Sequence, residues 1–255
     1  TMDSIWNVTP ESLVTWVGVL DDGNGDSPDS VRSRNLKSQL GIVQSKPAPD
    51  QMKIYSEVAA KYLPALVDIF RQRPEASGSV TTLINILATT PYFIRFLRTP
   101  AGEGIASLQA KRVANSVGEI GRMSVDDVGE IGQFLSSLLL FQGVQDVAEE
   151  DKAILREHLP IWERKYQGRL ASETAGRCLA LLNNEPGMRQ MMQGVKNMLE
   201  SKLDKCGGPG CVRRAQRDGS DLLQCSRCKS AVYCEVAHQK AAWAAHKPTC
   251  FPPAF

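Results

Sequence analysis

Apolar residues recur every three to four positions through the first two hundred residues, a period that is typical of amphipathic α-helices. Segments rich in proline, glycine and aspartate interrupt this period, for example at 21–29 and 46–50. The first helix has a clear start, because the hydroxyl residue Thr9 precedes Pro10 at the position where proline is tolerated. The pattern predicts about nine helices and no convincing strand over 1–201.

Two of these predicted helices contain an internal proline. Pro64 is expected to kink or divide the helix that begins near Asp50, because proline lacks an N–H and clashes with the preceding turn. Pro160 is expected to kink a later one. The last helix before the C-terminal segment carries a methionine-rich stripe, which we expect to pack in the core or against another helix. The stripe consists of Met188, Met191, Met192, Val195, Met198 and Leu199.

The pentapeptide VGEIG occurs twice, at 117–121 and 128–132. These copies are too close together to be units of a helical solenoid, so we interpret them as two close, glycine-mediated contacts between helices. The long predicted helices start about forty residues apart, which suggests HEAT- or armadillo-like stacking, and a compact bundle is the alternative. The predicted fold class over 1–201 is therefore an all-α helical domain.

The chemistry of the chain is concentrated in its last fifty residues. Six of the seven cysteines and two of the three histidines lie between Cys206 and Cys250. Zinc prefers thiolate and imidazole ligands, and eight of them supply two four-coordinate sites. Disulfides, free thiols and fingers of the RING or PHD kind are the alternatives. The eight candidate ligands are Cys206, Cys211, Cys225, Cys228, Cys234, His238, His246 and Cys250.

The spacing and the neighbouring residues resemble a MYND zinc finger over 206–250. QCSRCKSAVYC carries that family's cysteine pair, basic residue and Tyr-Cys, and HQKAAWAAHKPTC resembles its Gln, Trp and His-x3-Cys helix. His238 stands where the family usually has cysteine, and imidazole is an equally competent ligand. The resemblance implies interleaved sites, with Cys206, Cys211, Cys234 and His238 on one zinc and Cys225, Cys228, His246 and Cys250 on the other. Because all eight ligands come from the protein, we expect two structural Zn²⁺ ions that supply the folding free energy of this small segment.

MYND fingers are generally protein-interaction modules that dock proline-containing peptides, and the resemblance implies such a partner here. The family's groove lies beside its hairpin and its Gln/Trp helix, and the matching positions are Gln239 and Trp243, with Glu235 where serine is common. Trp243 is equally compatible with a core position. A stiff proline-rich ligand suits such a groove because it loses little entropy on binding. The segment 251–255, FPPAF, is itself proline-containing, and we expect it to fold back on this groove or to dock on a neighbour's.

Charge makes nucleic acid an unlikely partner. Residues 202–255 carry nine Lys and Arg against four Asp and Glu, whereas 1–201 carry 21 against 24. Six thiolates and two Zn²⁺ reduce the finger's excess to about +3, which is only mildly basic. A DNA-associated transcriptional regulator that uses this basic finger remains an alternative function. Its basic residues, which have no aromatic residues interleaved among them, are Arg213, Arg214, Arg217, Arg227 and Lys229.

The preferred interpretation is a non-enzymatic adaptor with a helical domain over 1–201, which binds a second partner, and a finger with a proline-containing tail over 202–255. No phosphate-binding loop, GxSxG, HExxH or Rossmann motif is visible, so an enzyme of unrecognised type in the helical domain is the second alternative. The apolar runs are too short to span a membrane, and no secretory signal is visible. Cysteines at metal-ligand spacing predict a reducing intracellular location, in the cytoplasm or nucleus.

Overall fold

The computed structural model describes residues 7–20, 27–215 and 222–255, and these are predominantly helical, which confirms the all-α prediction for the region before the finger. The predicted break at 21–29 and the basic residue Arg217 therefore lie partly or wholly outside the described residues. The helices that precede the finger are α1 (Pro10–Thr15), α2 (Asp29–Gln44), α3 (Ala48–Gln72), α4 (Ser79–Leu87), α5 (Pro91–Leu97), α6 (Ile105–Asn115), α7 (Val117–Ile120), α8 (Val125–Gln142), α9 (Glu149–Lys165), α10 (Leu170–Leu182) and α11 (Pro186–Asp204).

Side-chain caps start α1, α5 and α8, and at α4 a residue distant in the chain takes the place of a cap. Thr9 caps α1 by accepting a hydrogen bond from the Ser12 N–H. Helix α4 begins after Gly78 and has no cap of its own. The carboxylate of Asp29, at the start of α2, accepts hydrogen bonds from both the N–H and the hydroxyl of Ser79. This contact joins the starts of α2 and α4.

Pro64 does not divide its helix, contrary to one form of the prediction. Helix α3 runs without a break from Ala48 to Gln72 with Pro64 inside it. Proline has no N–H, so the carbonyl of Ala60, four residues earlier, loses its normal partner in the helix. That carbonyl instead accepts a hydrogen bond of 2.9 Å from the N–H of Ala254. Helix α9 likewise continues through Pro160.

Helix α8 lies at the centre of the core, in contact with α4, α6, α10 and α11. A Cβ added at Gly132 would lie 2.5 Å from the Thr174 hydroxyl oxygen, so α8 and α10 approach closely at this glycine. This confirms the glycine-mediated contact predicted for 128–132. At 117–121 a Cβ at Gly118 would meet nothing within 4 Å, so the first VGEIG copy does not make the contact through that residue. HEAT- or armadillo-like stacking stays a prediction.

The apolar periodicity over 103–122 extends through two helices rather than one. Helix α6 ends at Asn115, and the short helix α7 starts at Val117 after Ser116 leaves the helical conformation. The apolar spacing continues across this break, which is why periodicity alone did not reveal it.

Helices α4 and α5 are separated by a sharp bend of 106°, and by length and composition alone this bent pair resembles a broken membrane span. In the described part of the chain no single helix is long and apolar enough to cross a membrane. Both helices contribute to the core, where Leu83, Phe93 and Phe96 are fully buried.

Met188 lies outside the side chains that the structure describes, and the rest of the methionine-rich stripe of α11 is only partly buried, unlike the core or helix-packing face expected from its spacing. Met192 is 6% exposed and packs inward, whereas Met191 is 55% and Met198 is 65% exposed. Val195 lies between these two on the same face at 37% exposure. Helix α11 then continues through Asp204, so the chain enters the finger with no linker.

Candidate metal centre

A small hairpin and one helix carry the cysteines and histidines of the C-terminal segment. Strand β1 (Leu223–Gln224) pairs antiparallel with β2 (Val232–Tyr233), and helix α12 (Val236–His246) follows. The first cysteine, Cys206, comes directly after α11, and the next residue, Gly207, donates its N–H to the Val232 carbonyl at 2.9 Å. The start of the finger is thereby held beside β2.

The first ligand cluster consists of Cys206, Cys211, Cys234 and His238, whose ligand atoms all lie within 4.8 Å of one another. The two sulfurs of Cys211 and Cys234 are 3.9 Å apart, and the Nδ1 atom of His238 is 3.5 Å from the sulfur of Cys206. A tetrahedral zinc with Zn–S bonds of about 2.3 Å places its ligand sulfurs about 3.8 Å apart. The spacing therefore fits a four-coordinate zinc.

The second cluster consists of Cys225, Cys228, His246 and Cys250, again with ligand atoms within 4.8 Å of one another. The sulfurs of Cys225 and Cys250 are 3.7 Å apart, and the Nε2 atom of His246 is 3.5 Å from the sulfur of Cys228. The eight predicted ligands thus form two Cys3His groups, in the interleaved arrangement that the resemblance implied. Two structural zinc ions fit these groups, and neither would keep an open position for a substrate.

The surroundings of the thiols also favour a divalent cation. Burial would raise the pKa of Cys206, but hydrogen bonds from the N–H groups of Cys234 and Gly208 lower it to about 6. Burial and nearby cysteine thiolates raise the pKa of Cys250 to about 12. One thiolate in the first cluster is therefore stabilised by backbone donors, whereas Cys250 in the second needs positive charge to ionise at neutral pH.

Glu235 has a role that sequence reasoning did not find. It was predicted to contact a peptide, and its carboxylate lies 3.5 Å from the Nε2 atom of His238. The Nδ1 atom of the same ring faces the first cluster. A carboxylate that accepts from the second ring nitrogen orients a metal-binding histidine and raises its basicity. The three-residue separation of Glu235 and His238 is the sequence signal that could have revealed this contact.

The two other predicted peptide-binding residues lie on the outside of α12. Gln239 is half-buried, and Trp243 is 38% exposed, one turn further along the helix. The indole ring packs edge-to-face on the ring of His246, with centroids 5.9 Å apart. Trp243 is therefore not a core residue, although one of its edges covers the second cluster. The structure leaves the peptide-binding role of these residues a prediction.

A cavity of about 710 Å³ lies between the finger and the helical region, and Ala242, Ala245 and His246 of α12 line its finger side. Neither Gln239 nor Trp243 lines it, so it is distinct from the predicted peptide groove. Its walls include Met52, Ser56, Tyr92, Lys202, Lys205, Tyr233, Ala245 and His246.

The tail, residues 251–255, packs on the helical region and not on the predicted groove of the finger. The Tyr92 hydroxyl accepts a hydrogen bond of 2.8 Å from the Phe251 N–H and lies 2.9 Å from the Thr249 carbonyl, to which it donates. The ring of Phe255 packs edge-to-face on Phe96 with centroids 5.1 Å apart. The expectation that this tail folds back on the finger is therefore wrong. The groove between α3 and α5 has the polar partners that the tail's main chain requires.

Comparison with known proteins agrees with this geometry. Residues 204–250 match the family model of the MYND finger. Egl nine homolog 1 of Mus musculus is 38% identical to this chain over 53 residues, which cover 17% of this chain and 13% of that relative. The chain thus matches only a small part of the relative's length, and no solved structure matches it. Together with the two Cys3His clusters, the match identifies the segment 204–250 of this chain as a MYND-type zinc finger.

Proposed function

We propose that this protein is a non-enzymatic adaptor, in which the finger docks a proline-containing peptide of one partner and the helical region binds a second partner. A MYND finger is a zinc-dependent protein-interaction domain, and this coarser function follows from the family match and the ligand clusters. The finer proposal is based on the exposed face of α12, where Trp243 is 38% exposed and packs on His246, a residue of the second ligand cluster. We further propose that the protein acts inside the cell, in the cytoplasm or nucleus, where cysteine thiols are kept reduced and can bind metal.

The outer surface of the finger offers the contacts that a proline-rich segment needs. Trp243 presents a flat ring for proline packing, and the half-buried Gln239, one turn earlier on α12, carries an amide that can both donate and accept hydrogen bonds. Val236 and Leu223 are 54% and 51% exposed and add apolar area on the same small module.

For the second partner we propose the exposed stripe of α11. Met191, Val195 and Met198 follow one another at the i, i+4 and i+7 positions of one helical face. Methionine side chains adapt to many apolar surfaces because they are unbranched and polarisable. This face supports docking of a partner helix or groove.

A binding titration tests the finger's role. Fluorescent peptides with Pro-x-Leu-x-Pro and Pro-Pro-x-Leu-Ile patterns are titrated with the wild-type chain, with Trp243→Ala, and with Ile161→Ala as the matched control. Ile161 is 45% exposed on α9, far along the chain from the finger. We expect Trp243→Ala to weaken binding by about ten-fold or more, as for a central aromatic contact, with unchanged zinc content. Equal affinities for the two variants would refute the peptide proposal.

A pull-down separates the two proposed partners. Proteins retained by the wild-type chain are compared with those retained by Cys225→Ser, which removes a zinc ligand, and by Met191→Ser combined with Met198→Ser. We expect one set to be lost with the finger and another with the α11 stripe. A single set lost in both variants would contradict two independent surfaces.

A further inference from the structure

The groove between α3 and α5 has the properties of a peptide-binding site in its own right. We propose that it recognises an extended segment in which two aromatic residues flank two prolines and one further residue, and that residues 251–255 occupy it within the same chain. A partner segment of this pattern then binds by displacing the tail. This site is separate from the outer face of α12, so the inference does not rest on the peptide proposal for the finger.

The first argument is that the groove offers polar groups that helices do not normally leave available. Pro64 leaves the Ala60 carbonyl without its helical partner, and the tail's Ala254 N–H supplies the missing donor. The Tyr92 hydroxyl accepts a hydrogen bond of 2.8 Å from the Phe251 N–H and lies 3.0 Å from the carbonyl oxygen of the same residue. These hydrogen bonds are made to main-chain groups of the bound segment, so any extended peptide of suitable shape can form them.

The second argument is that the groove selects an aromatic residue at one end. The Phe255 ring packs on Phe96, and the guanidinium of Arg95 lies 5.0 Å from the centre of the same ring. Arg95 also donates from Nη2 to the main-chain oxygen of Phe255 at 3.2 Å. A ring held between an aromatic edge and a cation is a specific anchor.

The third argument is that the tail does not satisfy the groove completely. The Nη1 atom of Arg95 is buried and has no hydrogen-bond partner among the described residues. A buried, unpartnered guanidinium N–H is costly, and an additional acceptor on a partner segment would remove this cost. Pro252 and Ala254 are exposed, so the tail lies at the surface, where an incoming segment can replace it stepwise.

The test uses a fluorescent peptide, acetyl-Ser-Phe-Pro-Pro-Ala-Phe-amide, and two forms of the full chain. One is the wild type, and in the other residues 251–255 are replaced by Gly-Ser-Gly-Ser-Gly. We expect the replaced chain to bind the peptide about ten-fold or more tightly than the wild type, because the tail competes at a high effective concentration. No binding to the replaced chain, or equal binding to both, would overturn the proposal.

Two substitutions on the replaced chain show where the peptide binds. Arg95→Ala removes the cation at the anchor, and Arg98→Ala is the matched control, since Arg98 lies one turn away and pairs with Glu200. We expect Arg95→Ala to weaken binding by about ten-fold and Arg98→Ala by less than about two-fold. Equal losses would place the peptide elsewhere and refute the assignment.

Two further measurements guard against misfolding and against confusion with the finger. Zinc content is measured on every variant. If the replaced chain does not fold, Phe255→Ala in the intact chain serves instead and must bind the peptide more tightly than the wild type for the proposal to hold. The Pro-x-Leu-x-Pro peptide is titrated in parallel, and its affinity should respond to Trp243→Ala but not to Arg95→Ala. Failure of one titration therefore leaves the other proposal intact.

Discussion

Removal of one hydroxyl group at Tyr92 tests how the finger is attached to the helical region. Tyr92 is 1% exposed, and its hydroxyl joins the Phe251 N–H and the Thr249 carbonyl, the residues on either side of the zinc ligand Cys250. Tyr92→Phe keeps the ring and its packing and deletes only the contacts of this hydroxyl, whose single proton is also 3.0 Å (O to O) from the Phe251 carbonyl as an alternative acceptor. Any loss of stability can therefore be assigned to the attachment.

The expected magnitude follows from the two groups that lose their partner. A buried donor or acceptor left unsatisfied costs about 1–3 kcal/mol. Phe251 and Thr249 are only half-buried, which places each cost at the lower end of that range and the sum at about 2–3 kcal/mol. For a chain of this size each kcal/mol lowers Tm by about 2–4 °C, so Tm should fall by about 4–12 °C.

Tyr55→Phe is the matched control, because it deletes the same group with the opposite consequence. Tyr55 is 5% exposed, and its buried hydroxyl has no hydrogen-bond partner among the described residues. Removing a hydroxyl that is already unpaired should leave the free energy of unfolding within about 0.5 kcal/mol or raise it. Burial raises the pKa of both tyrosines, so both hydroxyls stay protonated and the comparison holds across neutral pH.

The assay is urea unfolding of the zinc-loaded chain, followed by circular dichroism and by zinc release to a colorimetric chelator. Tyr92→Phe should unfold at lower urea and release zinc from the second cluster sooner than either Tyr55→Phe or the wild type. If the two variants lose the same stability, the hydroxyl of Tyr92 does not hold the tail, and the attachment described above is refuted.

Three further predictions follow from other contacts. Gly132→Ala should destabilise the fold by about 1–3 kcal/mol in urea unfolding, because the new Cβ would collide with Thr174. Gly41→Ala is the control: a Cβ at this helical position meets no atom within 4 Å, so the substitution should stabilise the fold by about 0.5–1 kcal/mol. Partial burial would raise the pKa of Asp29, but hydrogen bonds from Ser79 and the charge of Arg73 lower it below 3.8. The stability that this carboxylate contributes is therefore present above pH 3.8 and is lost as the pH falls through the folded-state pKa. Asp29→Asn should therefore be destabilised at pH 7 and should converge with the wild type in acid, and a constant difference would contradict this linkage. Metal analysis should find about two zinc ions per chain, and chelation should unfold the finger while most helical circular dichroism remains.

The metal ligands could be predicted from the sequence because cysteine and histidine residues at this spacing directly indicate zinc binding. Zinc requires thiolate and imidazole groups, and the division of the eight ligands between two sites came from the resemblance to the MYND finger and not from the spacing alone. The helices were predictable for a related reason, since an apolar stripe at helical spacing has to face a core. Neither inference required knowledge of a residue distant in the chain.

Several features that sequence reasoning missed depend on distant partners. Pro64 breaks a hydrogen bond in any helix, and whether the helix divides depends on whether another donor reaches the free carbonyl. Here that donor is Ala254, about 190 residues away in sequence, and no local pattern predicts it. The α11 stripe has the same difficulty, because helical spacing identifies an apolar face but not whether a neighbour covers Met191 and Met198.

The finger is attached to the helical region at both ends, and each attachment is next to a different zinc site. At its start, α11 leads directly into Cys206, a ligand of the first cluster. At its end, Tyr92 binds the main chain on both sides of Cys250, a ligand of the second. Metal binding at either cluster therefore fixes one attachment as well as the local fold. The two proposed interaction surfaces, the outer face of α12 and the stripe of α11, lie on helices that these two attachments connect. Binding of both zinc ions would therefore fix the position of one surface relative to the other.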